Sequence, residues 1–438
     1  MRITILLMAC SIIFVSCQSY EEIPLDKEQI LKDVEEQNKY EATEHGLSFL
    51  DAQRIMSENN PILKELRFEY EKFKELSNIQ TPLPNPNLEI GQALGKSIDE
   101  KSANSIQPFI GFGFKIPLGP RLARNDDLKE ALMLRSYNNL VLKHRKLYFD
   151  LRESFTEFYF ESLMLKTQQK ILDHLKLNLE VVNKLLKSGL ATAIDQNSAN
   201  IQFSKMQIKL YETESNINQI KSELGQLLGK DLQFDQNFKV IAKSQSLKDL
   251  ANLDVLKKKL LESNFELSQL EMDYKVSEVQ LKLELAKQYP DLVIGTSAEQ
   301  EPGESKKVFS LGLSLNLPIF DRNQHEILEK DKERKLILAK YNSTLSNSLS
   351  RIKLMLINSK VQKQKLHLLE SQIIPLSKAT VNIAKRAVEA GNISILRYID
   401  LSKDLFEQEL EKIQASKQLN EIRQKIERLI GEKQAESD

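Results

Sequence analysis

The sequence predicts a mainly α-helical chain with a small β part, built as two copies of one unit. Each unit joins long antiparallel coiled-coil helices to a β-hairpin. Three observations predict this. Landmark motifs recur at a nearly constant spacing of about 200 residues. One stretch of 66 residues, 122–187, has no proline and no glycine and carries a heptad stripe. Two short segments alternate between apolar residues and small or polar ones, as strands do.

Composition narrows the function classes. Lys plus Arg and Asp plus Glu each number 62 in 438 residues, so the formal net charge is zero. A nucleic-acid protein would show a basic surplus. A disordered chain would combine few apolar residues with a large net charge, whereas 41% of this one is apolar. The five histidines stand far apart without metal-ligand spacing. GxGxxG, P-loop and GxSxG motifs are all missing, so nothing points to an enzyme or a bound cofactor. Both cysteines precede position 18, which leaves no pair for a disulfide in the body.

The first element is an address. Met1-Arg2 is a short positive start, and Ile3 to Val15 is nearly all apolar. A bilayer core of ~30 Å needs about 20 residues, so this run is too short to span and reads as a signal peptide. It ends Phe14-Val15-Ser16-Cys17, which resembles a lipobox with Cys17 as the lipidated residue. Phe14 stands where Leu is usual. Leu7-Met8-Ala9-Cys10 is a competing site with a very short apolar run. Residues 18–46 are polar and are expected to form a tether.

The repeat follows. Pro86-Asn87-Leu88-Glu89-Ile90-Gly91 returns as Pro290-Asp291-Leu292-Val293-Ile294-Gly295, an offset of 290 − 86 = 204. Pro117 returns as Pro318 at 201, and Gly189 as Gly391 and Gly229 as Gly431 at 202. The expected units are 47–230 and 252–431, joined by a connector at 231–251 and followed by a tail at 432–438.

Each unit reads helix, strand, strand, very long helix, turn, helix. In the first, 48–79 is helical, opened by Ser48 and ended by the prolines at 82, 84 and 86. In the long helix, Leu151, Phe155, Phe158, Ser162 and Leu165 form a heptad stripe, continued by Leu172, Leu175, Leu179, Val182 and Leu186. At about 1.5 Å per residue this helix is on the order of 100 Å long. A turn at Ser188-Gly189 leads to a return helix at 195–228. The second unit repeats this as 252–287, 322–389, a turn at Gly391, and 395–430. Pro375 should kink its long helix.

The strands decide between a rod and a membrane protein. Phe309, Leu311, Leu313, Leu315 and Leu317 share one face, with Ser310, Gly312, Ser314 and Asn316 opposite. In the first unit Ile106, Pro108, Ile110, Phe112, Phe114 and Ile116 share a face, with Gln107, Gly111, Gly113 and Lys115 opposite. Apolar residues outward and small or polar ones inward over about ten residues is the transmembrane β-strand pattern. Phe309, Leu311, Leu313 and Leu315 are therefore the expected lipid-facing set. The partner strands, 87–94 and 291–299, alternate less cleanly. Loops 95–105 and 299–307 are polar, and Tyr289 and Phe320 sit where an interfacial aromatic belt belongs. Two hairpins cannot close a barrel, and open edges are forbidden in lipid. Three copies would supply 3 × 4 = 12 strands. Packing of the hairpins on a soluble core is the other reading.

These residues resemble the TolC family of outer-membrane efflux proteins over about 47–431. LPNPNLEIG (83–91) and KIPLGPR (115–121) are similar to the strand entry and exit of its CzcC-like branch. KSGLATAIDQNSA (187–199) and EAGNISILRYID (389–400) resemble the paired helix-turn tips, and LLG (227–229) and LIG (429–431) the helix ends. The resemblance implies a homotrimer with a twelve-stranded outer-membrane β-barrel continued by a periplasmic α-helical barrel. It implies passive export, with a periplasmic adaptor and an inner-membrane pump as partners. A periplasmic coiled-coil lipoprotein scaffold without channel activity is the alternative.

The resemblance also marks the tips, around Gly189 and Gly391, as the place of closure and adaptor contact. Both glycines equally suit helix C-caps at positive φ. Thr192 with Asp195 reads as a capping box or as part of an acidic ring. Ser394 belongs to the second of these tips. Where the family often carries an acidic residue six after the second glycine, this chain has Arg397, with Asp400 three later. Arg397 is then either a ring of three positive charges or an i,i+3 partner of Asp400.

Overall fold

The computed structural model describes residues 20–37, 39, 46–95, 105–232, 240–241, 250–300 and 307–432. The signal segment with Cys10 and Cys17, loops 96–104 and 301–306, and residues 433–438 lie outside the described residues.

A helix α1 (Lys27–Gln37), with no buried residue, precedes a two-residue strand β1 (Leu47–Ser48) and the helices α2 (Phe49–Asn59) and α3 (Pro61–Asn78). Strands β2 (Asn87–Gly95) and β3 (Ser105–Pro117) lead into α4 (Arg121–Lys187), an unbroken helix of 67 residues. The return helix α5 (Ala193–Leu228) ends at Gly229 in the left-handed conformation. After β4 (Val240–Ile241), which pairs in parallel with β1, the order repeats. It runs through α6 (Leu253–Ser263), α7 (Phe265–Ala286), β5 (Asp291–Gln300), β6 (Lys307–Leu315), α8 (Gln324–Leu368), a π-helical turn at Leu369–Ile373, α9 (Ile374–Glu389) and α10 (Ile395–Ile430). Among the described residues no helix is long and apolar enough to cross a membrane.

Three features differ from the sequence expectation. The first helix of each unit is two helices, because Asn60 and Asn264 leave helical geometry and cap the next helix. Asn60 accepts from the backbone N–H groups of Ile62 and Leu63, and Asn264 from that of Leu267. The Pro375 kink is a π turn: the Ile374 N–H reaches back five residues to the Leu369 carbonyl. This wider turn accommodates a proline that brings no N–H of its own. Finally, the lower coiled-coil seam of α4 buries Ile171, Leu175, Asn178 and Val182. Leu172, Leu179 and Leu186 are only half-buried, since α4 packs on both α5 and α10 and its buried stripe lies between them.

Two apolar clusters sit at the same level of the long helices. The first joins Ala52, Met56, Leu63, Leu147, Leu151, Phe155, Leu224 and Leu228. The second joins Leu256, Leu260, Leu267, Ile352, Ile426 and Ile430. Met56 and Leu260 correspond at the repeat offset of 204, and Leu224 and Ile426 at 202. The duplicated sequence thus folds into a duplicated core. From this belt the long helices run one way to the strands and the other way to the Gly189 and Gly391 turns.

Candidate pore and helix tips

The four long strands form one antiparallel sheet in the order β2-β3-β5-β6. The two hairpins are therefore not separate: β3 pairs with β5 across Phe114↔Ile294 and Phe112↔Thr296. Directly paired residues in an antiparallel sheet lie on the same face. The register then assigns Leu88, Ile90, Ile110, Phe112, Phe114, Ile116, Leu292, Ile294, Leu311, Leu313 and Leu315 to one face. Thr296 and Ala298 are its small interruptions, which is why β5 alternates poorly when read alone. Phe309, Leu311 and Leu313 are 79%, 75% and 71% exposed in the protomer, and Leu315 is also exposed. Such a broad bare apolar face has no place in water.

The opposite face is small and polar. Asn87, Glu89, Gly111, Gly113, Lys115, Gly295, Ser297, Ser310 and Gly312 line a concavity of about 530 Å³. At its helix-proximal end Asp291 accepts from both Lys115 and Arg121, each at 2.9 Å. That pairing ties β5 to β3 and to the first turn of α4. Beyond the strands Tyr289 and Phe320 are exposed, 57% and 93%, where the aromatic belt was expected.

At the far end both turns are built by local chemistry. Gly189 and Gly391 have φ of +75° and +73° and close their helices in the left-handed conformation. Thr192 and Asp195 form a complete capping box: the Thr192 N–H donates to the Asp195 carboxylate, and the Asp195 N–H to the Thr192 hydroxyl. Ser394 caps α10 by accepting from the Arg397 N–H. Arg397 and Asp400 are both exposed, and no ion pair joins them within the protomer.

At the belt and just below it the two units are fastened by charges that sequence reasoning missed. Arg152 of α4 donates to Glu427 of α10 at 2.6 Å, and Arg423 reaches the same carboxylate at 2.9 Å, all three nearly fully buried. Lys417 pairs with Glu161 at 2.8 Å. Nearby, burial holds the Glu157 carboxyl above the ordinary carboxylate range. Closer to the tips His174 lies edge-on to Phe406, ring centroids 5.1 Å apart. Its Nε2 is buried without a hydrogen-bond partner. Burial first, then the charge of Lys385, pushes its pKa down. Among the described residues no cluster of acidic, His or Cys side chains could hold a metal ion.

Residues 256–432, most of the second unit, match the outer membrane efflux protein family. The chain is 22% identical to the cobalt-zinc-cadmium resistance protein CzcC of Cupriavidus metallidurans, over 64% of this chain and 68% of that one. Its fold matches the outer-membrane channel OprN with a TM-score of 0.72 and 15% identity, covering 87% and 89% of the two chains. It matches CusC with a TM-score of 0.69 and 14% identity, covering 95% and 99%. Both likenesses concern the fold.

Proposed function

We propose that this chain is the outer-membrane duct of a tripartite efflux system. It would conduct small molecules or metal cations passively from periplasm to exterior, without catalysis. The observation that carries the reading is the sheet: four strands, an apolar face across all of them, a polar face behind it, and open edges at β2 and β6. Lipid tolerates no open edge. Three copies joined β6 to β2 close a barrel of 3 × 4 = 12 strands, and the long helices continue its wall into the periplasm. A soluble scaffold would leave the apolar face in water, so the duct is the better reading.

In this reading the tips at Gly189 and Gly391, with Thr192, Asp195, Ser394, Arg397 and Asp400, meet the periplasmic adaptor that links the duct to an inner-membrane pump. Cys17 carries the lipid anchor, and residues 18–46 lead from it to the first of the two units, 47–230 and 252–431. That the relative CzcC is a cobalt-zinc-cadmium resistance protein supports metal cations as cargo. The pore wall needs no metal ligands to pass them.

The test is extraction and conductance. Membranes should release the protein only with detergent, as a heat-sensitive trimer that forms channels in planar bilayers and carries lipid lost in Cys17→Ser. Release as a monomer by salt or alkaline washing would overturn the duct.

A further inference from the structure

We propose that Phe109 sets the bore of the barrel and that Gly91 holds its ring back against the wall. The proposal rests on the channel reading above and adds to it the side-chain pair that keeps the bore wide.

The register places Gly91, Phe109, Glu299 and Val308 in one row across the four strands, on the small-residue face. The next two rows toward the helices are Glu89, Gly111, Ser297, Ser310 and Asn87, Gly113, Gly295, Gly312. Phe109 is the largest described side chain on that face and its one aromatic. In a trimer it recurs three times at one height. Twelve strands about 4.8 Å apart and tilted about 40° enclose a backbone diameter on the order of 24 Å. Three rings pointing inward at one level would take a large share of that width.

The rings do not point inward, and Gly91 is the reason. A methyl group added at Gly91 would overlap Phe109 Cε1 and lie 2.5 Å from Cζ, closer than non-bonded carbons approach. The outer end of the ring therefore lies against the bare backbone of its cross-strand partner. Any side chain at 91 evicts it, and since the clash falls on the far end of a rotatable side chain, the ring can move without disturbing the strands. The direction left to it is the lumen. Glycine here keeps an aromatic constriction parked, which leaves the barrel wide for polar solutes and gives flat apolar ones a surface to slide on.

The experiment compares single-channel conductance of purified trimers in planar bilayers. Gly91→Ala should lower conductance about 1.5-fold or more. The double variant Gly91→Ala/Phe109→Ala should match Phe109→Ala alone, as a cycle demands when one side chain mediates the effect of the other. If Gly91→Ala fails to assemble, Phe109→Cys decides: a water-soluble charged thiosulfonate should reduce its current and leave wild type unaffected. Equal conductance in wild type and Gly91→Ala, or an inert Phe109→Cys, would overturn the proposal. A ring that only stabilises the strand pair would change trimer yield and not the current of each channel. No conductance from wild type would instead overturn the channel reading itself.

Discussion

Asn60 donates its side-chain amide to the carbonyl of Leu227, 2.8 Å away, and Asn264 repeats the bond to Leu429 at 2.7 Å. Each asparagine also caps the helix that follows it, so one buried carboxamide joins two helices and starts a third contact. Gly229 and Gly431 complete the joint, since a Cβ at either would strike the backbone of Asn59 or Ser263. Asn60→Ala and Asn264→Ala should each cost about 2–4 kcal/mol, a lost cap plus a buried carbonyl left unpaired. Asn→Ser, which keeps the cap alone, should recover part. Thermal melts of the detergent-solubilised trimer measure this, and alanine variants melting with wild type would remove the joint from the account.

The face assignment of β6 is tested by two adjacent residues. Leu313→Arg should block assembly while Ser314→Arg is tolerated, because a charge at mid-depth in lipid costs about 2–4 kcal/mol and one in the lumen little. Trimer yield is the readout. Equal yields would mean that this face does not meet lipid.

His174 makes stability depend on pH, and the sign is fixed by its lowered pKa. Above 6.5, its ordinary value, the ring is neutral both folded and unfolded and contributes nothing. Below it, the unfolded chain takes up a proton that the buried ring resists, so stability falls as pH falls until the lower folded pKa is passed. Glu157, with its raised pKa, acts in the opposite sense and is untouched by a change at 174. The melting temperature of His174→Phe should therefore drop less than that of wild type between pH 7 and pH 5. Parallel pH curves would show the ring to be silent.

Among the described residues Arg397 has no acidic partner within its own protomer, and the capping box already engages Asp195. In the closed trimer its carboxylate would come from a neighbouring helix. Such a pair is worth about 0–1 kcal/mol when exposed, and threefold symmetry repeats it. Arg397→Ala should raise the conductance of the isolated trimer without lowering its yield. Unchanged conductance in both Arg397→Ala and Asp400→Ala would leave these charges as solvated surface.

What was legible in the sequence was what local chemistry decides. The long helix is announced over 122–187 by its freedom from proline and glycine, and the tips by Gly189, Gly391 and Thr192, whose caps close within a few residues. What escaped depends on partners far along the chain. Asn264 looks like any polar residue inside a helical run, and its role comes from a carbonyl 165 residues away. Arg152 and Glu427 read as solvent-facing charges until α10 is laid on α4. The union of the two hairpins rests on pairs such as Phe114↔Ile294, for which neither strand carries a local signal. Phe109 breaks the alternation of its own strand, but its meaning lies in Gly91 of another.

The π turn at Leu369–Ile373 also carries a record of the chain's history. Buried positions above it, Leu151 and Ile352, stand 352 − 151 = 201 residues apart, as do Pro117 and Pro318. Below it, Gly189 and Gly391 stand 391 − 189 = 202 apart. The second unit has one residue more between these landmarks, and the widened turn is where the helix absorbs it. A one-codon length difference arising after the duplication would otherwise have rotated everything below by about 100°. Taken up in a single turn, it leaves the lower coiled coil in phase, so that both ancestral copies still end in the same glycine at nearly the same φ.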